Sequence, residues 1–576
     1  MTVDPIGELR LAALHESDGL VESAVAELEK RQAVVKIWER DPSLWKSEPE
    51  HQTIIRRSLG WLTVADLMSE HVEDLKGFAE DVRREGIPDV LLLGMGGSSL
   101  CPDVLRLTFG SAPEFPRLHV LDTTDPCSIR AAEQALDLGK TLFIVASKSG
   151  TTPEVSALHR YFFSKIREMK GADAGCWFVA ITDPATPLEV LARAQSFRRI
   201  FVNPPDIGGR YSALSYFGLV PATLMGCDIV RLLDRAQRMA RACVSRVRSP
   251  ENPGLWLGAV MGALAGGGRD KVTLVCSPEI ASFGWWVEQL IAESTGKDGL
   301  GIVPVEGEAI GTPTCYAGDR FFVYLRLDGT REAALDDKVR AIESLGHPVV
   351  TFRLQDLYGL GGEFFRWEFA TAVAGALIGV NPFDQPNVQE SKDNTRELIE
   401  EYRVTGSLPE EVPLFGSGPV KLYGDEATRS ILKGKRSLGA ALRAHLSRTR
   451  PGDYVALTAY LPRTRATEQV LDTIRTWIRD RFRVATTLGY GPRFLHSTGQ
   501  LHKGGGGNGL FIQFTADDPL DISIPGEPFS FGVMKRAQAL GDLRSLERRG
   551  RRLLRVHIVG DLEAGLTQVR RAIMEA

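Results

Sequence analysis

The sequence predicts an α/β protein built on parallel sheets, and three observations carry that reading. Short apolar runs alternate with helical patterns along most of the 576 residues; glycine is abundant, with 58 residues; and the composition, 43% hydrophobic and 25% charged, is that of a folded chain. Strand and helix in alternation imply a parallel sheet covered on both faces. The glycines fit many tight strand-to-helix turns. The length corresponds to about three or four domains.

The first stretch, residues 1–86, reads as a helical lead-in. Leu11, Leu14, Val21, Val25 and Leu28 fall at helical spacing from Ile6 onward, and tryptophans follow at Trp38, Trp45 and Trp61. Residues 87–250 form a first α/β unit, with strands expected at Asp89–Leu93, Leu118–Leu121, Thr141–Val145, Trp177–Ile181 and Arg199–Val202, and helices at Glu154–Lys170 and Pro187–Gln195. Residues 251–404 form a second unit, with strands at Val272–Cys276, Ile302–Val305, Phe321–Leu327 and Val349–Phe352. The stretch Thr405–Pro419 separates these from a C-terminal α/β region within residues 405–576. That region is read from Tyr454–Tyr460, the helix Ala466–Arg481, Gly509–Phe514, Leu554–Val559 and a terminal amphipathic helix from Leu562. The apolar stretches Trp256–Gly268 and Phe369–Val380 fall short of the ~20 residues that cross a bilayer, so both are read as buried helices.

Charge narrows the function. Lys and Arg number 69 against 73 Asp and Glu, a net −4, which weakens any nucleic-acid reading. Seven scattered cysteines without a C-x-x-C pair signal neither a disulfide framework nor a zinc site, and suit a reducing cytoplasm. Asp4 and Glu8 stand where a signal peptide needs basic residues, so export is not expected.

Two turns concentrate the chemistry. Gly94-Met95-Gly96-Gly97-Ser98-Ser99 follows a strand and opens a helix, where free N–H groups favour an anion. It is neither a dinucleotide fingerprint nor a P-loop. Ser147-Lys148-Ser149-Gly150-Thr151-Thr152-Pro153-Glu154 crowds four hydroxyls and an ammonium into one strand-to-helix turn. A helix cap needs only one hydroxyl, so a phosphate monoester is the expected ligand, with Lys148 as its charged anchor.

These two turns resemble the sugar isomerase (SIS) domain and, within it, the phosphoglucose isomerase family. Gly208-Gly209-Arg210-Tyr211-Ser212 is similar to that family's arginine motif, Ala292-Glu293-Ser294-Thr295-Gly296-Lys297 to its glutamate motif, and Phe383-Asp384-Gln385-Pro386-Asn387-Val388-Gln389-Glu390-Ser391-Lys392 to its lysine motif, all in family order. The resemblance spans roughly residues 88–395. The last region resembles the C-terminal part of the isomerase half of transaldolase/phosphoglucose isomerase fusions. What it implies is two tandem SIS-type, doubly wound domains, reversible isomerisation of glucose 6-phosphate and fructose 6-phosphate without metal, nucleotide or other cofactor, and a cytoplasmic homodimer with no membrane or nucleic-acid partner. Gly97, Ser98, Ser147, Lys148, Ser149, Thr151 and Thr152 would hold the phosphate, and Glu154 and Gln289 would line the sugar site.

Chemistry supplies the roles. Glu293 is suited to carry a proton between C2 and C1 across one face of a cis-enediol, and Arg210 to stabilise negative charge on O1 and O2. Ring opening is the departure. The family's Gly-Gln-His histidine is missing, Gly311-Thr312-Pro313-Thr314-Cys315-Tyr316 stands in its place, and Asn387 and Gln389 replace a Gly and a Glu. His347 reads as a strand-start residue. The run His496-Ser497-Thr498-Gly499-Gln500-Leu501-His502-Lys503, followed by Gly504–Gly507, offers a mobile loop, with His502 preferred to His496 because it adjoins the glycines, and Lys392 assisting. The competing readings are a dual phosphoglucose/phosphomannose isomerase, in which Thr295 aids ring rotation, and a non-catalytic sugar-phosphate sensor. Transaldolase chemistry is not supported, because ~85 N-terminal residues cannot form a barrel of about 250.

Overall fold

The structure, a computed structural model, describes residues 9–10, 17–244 and 252–575. Ile6, Leu11 and Leu14 of the expected lead-in helix, and the boundary at residues 250 and 251, lie outside them.

The first sheet has five parallel strands in the spatial order Arg117–Leu121, Asp89–Leu93, Thr141–Ala146, Phe178–Thr182, Arg199–Val202. Every residue of Asp89–Leu93, Thr141–Ala146 and Phe178–Thr182 is buried, which is why these strands read as unbroken apolar runs. The chain starts at Asp89–Leu93, steps outward to Arg117–Leu121 and then returns past its start to Thr141–Ala146. The strand order reverses between the two central strands, and a crevice opens beyond their carboxyl ends. The Gly94–Ser99 and Ser147–Glu154 turns follow the carboxyl ends of these two strands.

The second sheet sets Val349–Leu354, Arg320–Leu327, Lys271–Cys276 and Val303–Val305 side by side in parallel, with Leu9–Arg10 antiparallel on Val349–Leu354. The third is mixed. Arg552–Ile558, Gly509–Ala516, Tyr454–Tyr460 and Ala485–Tyr490 are parallel, and a hairpin of Phe415–Ser417 and Val420–Tyr423 adds antiparallel to Arg552–Ile558. This hairpin begins inside the stretch expected to be a separator. Its strands of three and four residues are too short to show a period. Ala485–Tyr490 was likewise hidden, by its paired threonines and a glycine.

The two apolar stretches form helices Pro253–Gly266 and Gly359–Ile378, buried along most of their lengths and packed on one another. The described lead-in helices lie against this pair and against neighbouring segments of the first unit. Trp45 Nε1 donates to Ala372 O at 2.8 Å, Trp38 Nε1 to Cys243 O at 3.0 Å, and Trp61 stacks on Tyr211 at 5.5 Å between centroids. Among the described residues no helix is long and apolar enough to cross a membrane.

Among the polar seams that tie the C-terminal region to the rest, two stand at the first and second sheets. Lys535 bridges Asp125, at 2.8 Å, and Asp518, while Ile522, Ile524, Phe531 and Met534 join the apolar core of the first sheet. At the second sheet, Glu308 and Arg320 form a 2.6 Å ion pair with both side chains fully buried; Arg320 also donates to Val484 O, and Thr486 donates to Glu308 through N and Oγ1. Burial alone would raise the Glu308 carboxyl, but Arg320 and Thr486 hold it below the ordinary range. Glu308→Ala strands a buried guanidinium and is expected to lower the unfolding free energy by about 3–5 kcal/mol in a urea titration. Pairing Glu308→Leu with Arg320→Met is expected to recover only part of that loss, because Val484 O and the amide and hydroxyl of Thr486 lose their partners.

Candidate active site

The site begins where two glycine turns meet. Gly96 has φ +54°, and a Cβ there would lie 2.9 Å from His496 Cβ and 3.0 Å from Gln289 Nε2. At Gly97 a Cβ would lie 2.1 Å from Gly209 O. The first turn therefore needs glycine so that the Gly208–Tyr211 turn, His496 and Gln289 can close on it. Ser98, the last residue of this turn, is buried.

Arg210 is only 3% exposed. Its Nε donates to Ser294 Oγ (2.7 Å), Nη1 to Gln385 Oε1 (3.0 Å), and Nη2 to the carbonyls of Pro382 (2.6 Å) and Asp384 (3.0 Å), while Nη1 lies 3.6 Å from Glu293 Oε1. The guanidinium is thus a fixed charge facing the Glu293 carboxylate. Glu293 and Gln289 lie one turn apart on helix Phe283–Thr295. Gln289 Nε2 donates to Glu293 Oε2 (3.2 Å) and to His496 O (2.7 Å).

Glu154, at the start of helix Pro153–Lys170, faces a cavity of about 510 Å³. His496 Nε2 stands 3.1 Å from Glu154 Oε1, and Gln538 Nε2 donates to the same oxygen at 2.7 Å. Thr124 Oγ1 in turn donates to Gln538 Oε1 at 2.7 Å. Burial pushes the Glu154 carboxyl up, but His496, its own backbone amide and Lys392 bring it below the ordinary range. Lys392 lines the same cavity from helix Pro386–Thr405.

The hydroxyl turn borders this cavity through Ser149, Thr151 and Thr152. Its hydroxyls organise one another: Ser147 Oγ and Thr152 Oγ1 are 2.9 Å apart, Gly150 N donates to Ser147 Oγ, and Thr151 Oγ1 donates to Ser149 Oγ. Lys148 departs from its expected place. Its ammonium pairs with Asp183, just past strand Phe178–Thr182, so its charge is shared with a carboxylate instead of standing open to a ligand alone.

His502 is corrected by its surroundings. It lies inside helix Gly499–Gly504 among Tyr454, Phe494 and Phe511, neither ring nitrogen has a partner among the described residues, and burial, then Lys503 and Arg551, push the imidazole well below its usual range. The structure brings His496 to the cleft instead. The glycines are not a lid. A Cβ at Gly504 would lie 2.3 Å from Asn387 Oδ1 and 2.6 Å from Gly296 O, so the run serves close packing. His347 lies before strand Val349–Leu354, beside Tyr316 and Phe322. Thr295 turns its hydroxyl to Ile291 O and accepts from Ile302 N, fully buried, away from the role in ring rotation considered for it. Gln538 escaped sequence reasoning altogether, since nothing in its helix Phe531–Arg548 marks it. His496 follows the carboxyl end of parallel strand Ala485–Tyr490, where sites gather, but because that strand is itself hidden in the sequence the position gives no signal there. Among the described residues no group of three or more His, Cys, Asp or Glu stands ready to hold a metal ion.

Comparison with known proteins gives a consistent set of likenesses. The family model described as phosphoglucose isomerase matches residues 57–314. The glucose-6-phosphate isomerase of Rubrobacter xylanophilus is 33% identical over 375 residues, 56% of this chain and 85% of the relative. That of Prochlorococcus marinus MIT 9313 is 26% identical over 482 residues, 76% of this chain and 84% of the relative. Among solved structures, a hypothetical protein of Thermus thermophilus aligns with a TM-score of 0.58 at 24% identity, covering 68% of this chain and 99% of that one. A glucose-6-phosphate isomerase of Chlamydia trachomatis aligns with a TM-score of 0.55 at 19% identity, covering 67% and 87%. These two structural likenesses bear on the fold alone.

Replacing the unpartnered imidazole tests the correction at His502. His502→Leu removes two unsatisfied buried nitrogens at similar volume, and is expected to raise the unfolding free energy by about 1 kcal/mol. Turnover should stay within about twofold of the parent, a change too small to report a proton-transfer group.

Proposed function

This chain belongs to the phosphoglucose isomerase family, and on that premise we propose that it interconverts glucose 6-phosphate and fructose 6-phosphate through a cis-enediolate. The observation that carries the reading is the placing of the Glu293 carboxylate 3.6 Å from a guanidinium whose other contacts are all to neutral oxygens.

The phosphate occupies the hydroxyl turn, held by Ser147, Ser149, Thr151 and Thr152 and by the amides that open helix Pro153–Lys170, with Gly97 and Ser98 bordering the sugar. Ring opening falls to His496. Its Nε2 is taken by Glu154, which leaves Nδ1 to move a proton between O1 and the ring oxygen as the C1–O5 bond breaks, with the Lys392 ammonium as assisting donor. Glu154, kept ionised, orients the imidazole. Glu293 then takes the C2 proton and returns it to C1, and Arg210 stabilises the enediolate oxygens without reorganising, because its donors are already fixed. Gln289 steadies the base. This is chemistry for a cytoplasmic metabolic enzyme. The homodimer implied by the resemblance stands as an expectation for sedimentation analysis.

Glu293→Gln keeps the size of the base and removes its proton acceptor, so turnover should fall by at least about 10²-fold, the usual worth of a general base, with KM little changed. Residual turnover above a tenth of wild type would assign the proton transfer to another group. His496→Asn should impair cyclic glucose 6-phosphate selectively and spare an acyclic analogue, again by about 10²-fold. Equal losses on both substrates would remove His496 from ring opening.

A further inference from the structure

Lys297 ends the glutamate motif, four residues after Glu293, and the chemistry above gives it no task. It is 2% exposed, and its ammonium is fully engaged: Nζ donates to Asn381 O (2.7 Å), Asp384 O (2.5 Å) and Asp384 Oδ1 (2.7 Å). The Asp384 carbonyl is the one that Arg210 Nη2 also reaches, at 3.0 Å, so two cations share one oxygen. The segment that carries it is pinned from other sides. Phe383 N donates to Asn381 Oδ1 (3.0 Å), Asn381 Nδ2 donates to Asp384 Oδ2 (3.0 Å), and His51 Nδ1, from lead-in helix Pro49–Arg56, stands 3.1 Å from that oxygen. Pro382 O, Asp384 O and Gln385 Oε1, three of the four neutral acceptors of Arg210, all lie in this segment.

We propose that Lys297 is a positioning residue for the isomerisation: through the carbonyl it shares with Arg210 and the Asp384 carboxylate, it fixes residues 381–385 and thereby the guanidinium facing Glu293. The proposal rests on the assignment of Arg210 and Glu293 above. Its consequence is a pH dependence with a defined sign. Burial and the nearby Arg210 push Lys297 down from 10.5 to about 8, against the opposing pull of Asp384 and Glu293. These three and His51, behind Asp384, are the charged and titratable groups that face it; Asp298, next in the chain, pairs instead with Lys46 at 3.2 Å. Above that pH the amine keeps two N–H bonds for three acceptors and loses its attraction to Asp384. The cage around Arg210 loosens, and kcat falls on the alkaline side.

The test compares kcat and KM for glucose 6-phosphate from acid to alkaline pH in wild type, Lys297→Met and the isosteric Asp384→Asn, together with hydrogen exchange across residues 381–388. In Lys297→Met, kcat at neutral pH is expected to fall by about 10²-fold, the cost of a misplaced catalytic group, with KM nearly unchanged and no alkaline limb centred near 8. In Asp384→Asn, loss of the counter-charge should move the alkaline midpoint to lower pH by about one unit. The Phe383 amide should exchange faster in both variants. A merely structural lysine would change stability and leave the midpoint where it was, so an unmoved midpoint in Asp384→Asn overturns the proposal, as does a kcat for Lys297→Met within about twofold of wild type. Should wild type fail to turn over the sugar phosphate, the functional assignment falls, and the exchange comparison alone decides the positioning role.

Discussion

The site depends on the need to satisfy one buried guanidinium. A permanent charge as enclosed as Arg210 is tolerated only when its donors meet acceptors, because an unpaired buried ion costs several kcal/mol. No single element can supply them. Ser294 comes from the end of helix Phe283–Thr295, and Pro382, Asp384 and Gln385 come from the link between helices Gly359–Ile378 and Pro386–Thr405. Meeting the donors therefore draws the first and second α/β units to one point. Glu293 is delivered there as the neighbour of Ser294, and the 2.1 Å approach that a Cβ at Gly97 would make to Gly209 O explains why the facing turn has no side chain at that contact.

The C-terminal region is seated by the same logic applied to carboxylates. Glu154 is buried beside the cleft, and the groups that compensate it, His496 and Gln538, both belong to that region. Gln538 passes the contact on to Thr124, just beyond strand Arg117–Leu121, so the polar link joins segments that follow two strands of the first sheet through a residue of a different unit. Glu308 and Arg320 repeat the pattern at the second sheet, where Val484 O and Thr486 complete the pair. Numbered along the chain, the four parallel strands of the second and third sheets share the spatial order 4-3-1-2, and these contacts join them at the same position, beside the second strand of each.

How much of this was legible follows from the range of each signal. Strands buried on both faces, such as Asp89–Leu93 and Thr141–Ala146, announce themselves as apolar runs, and Arg210, Glu293 and the hydroxyl turn sit in compact local motifs. Lys148 shows where locality fails. Its turn was readable, but the amine is governed by Asp183, 35 positions away, and nothing around Lys148 points to it. The histidines fail in the same way. Glycines next to His502 looked like a hinge, yet they exist because Gly296 and Asn387 pass within contact distance of Gly504, a proximity set by packing between units. Gln538 is one polar residue on a long helix, and its partners lie 384 and 414 positions earlier.

Ring opening and proton transfer act on neighbouring atoms of one sugar, so their agents must be held in register with each other as well as with the substrate. Gln289 does this directly. Its amide nitrogen donates both to the carboxylate of Glu293 and to the backbone of His496, and the absent side chain at Gly96 leaves room for both groups of that linkage. Because the bond to His496 is made through its carbonyl, the imidazole stays free to pair with Glu154 and to turn toward the sugar. A displacement of the C-terminal region would thus reach the proposed base through the Gln289 amide, while Glu293 faces Arg210 on its other side, whose Asp384 acceptor is shared with Lys297. The acid–base groups proposed for the two steps come from different units, but hydrogen bonds through Gln289 connect them.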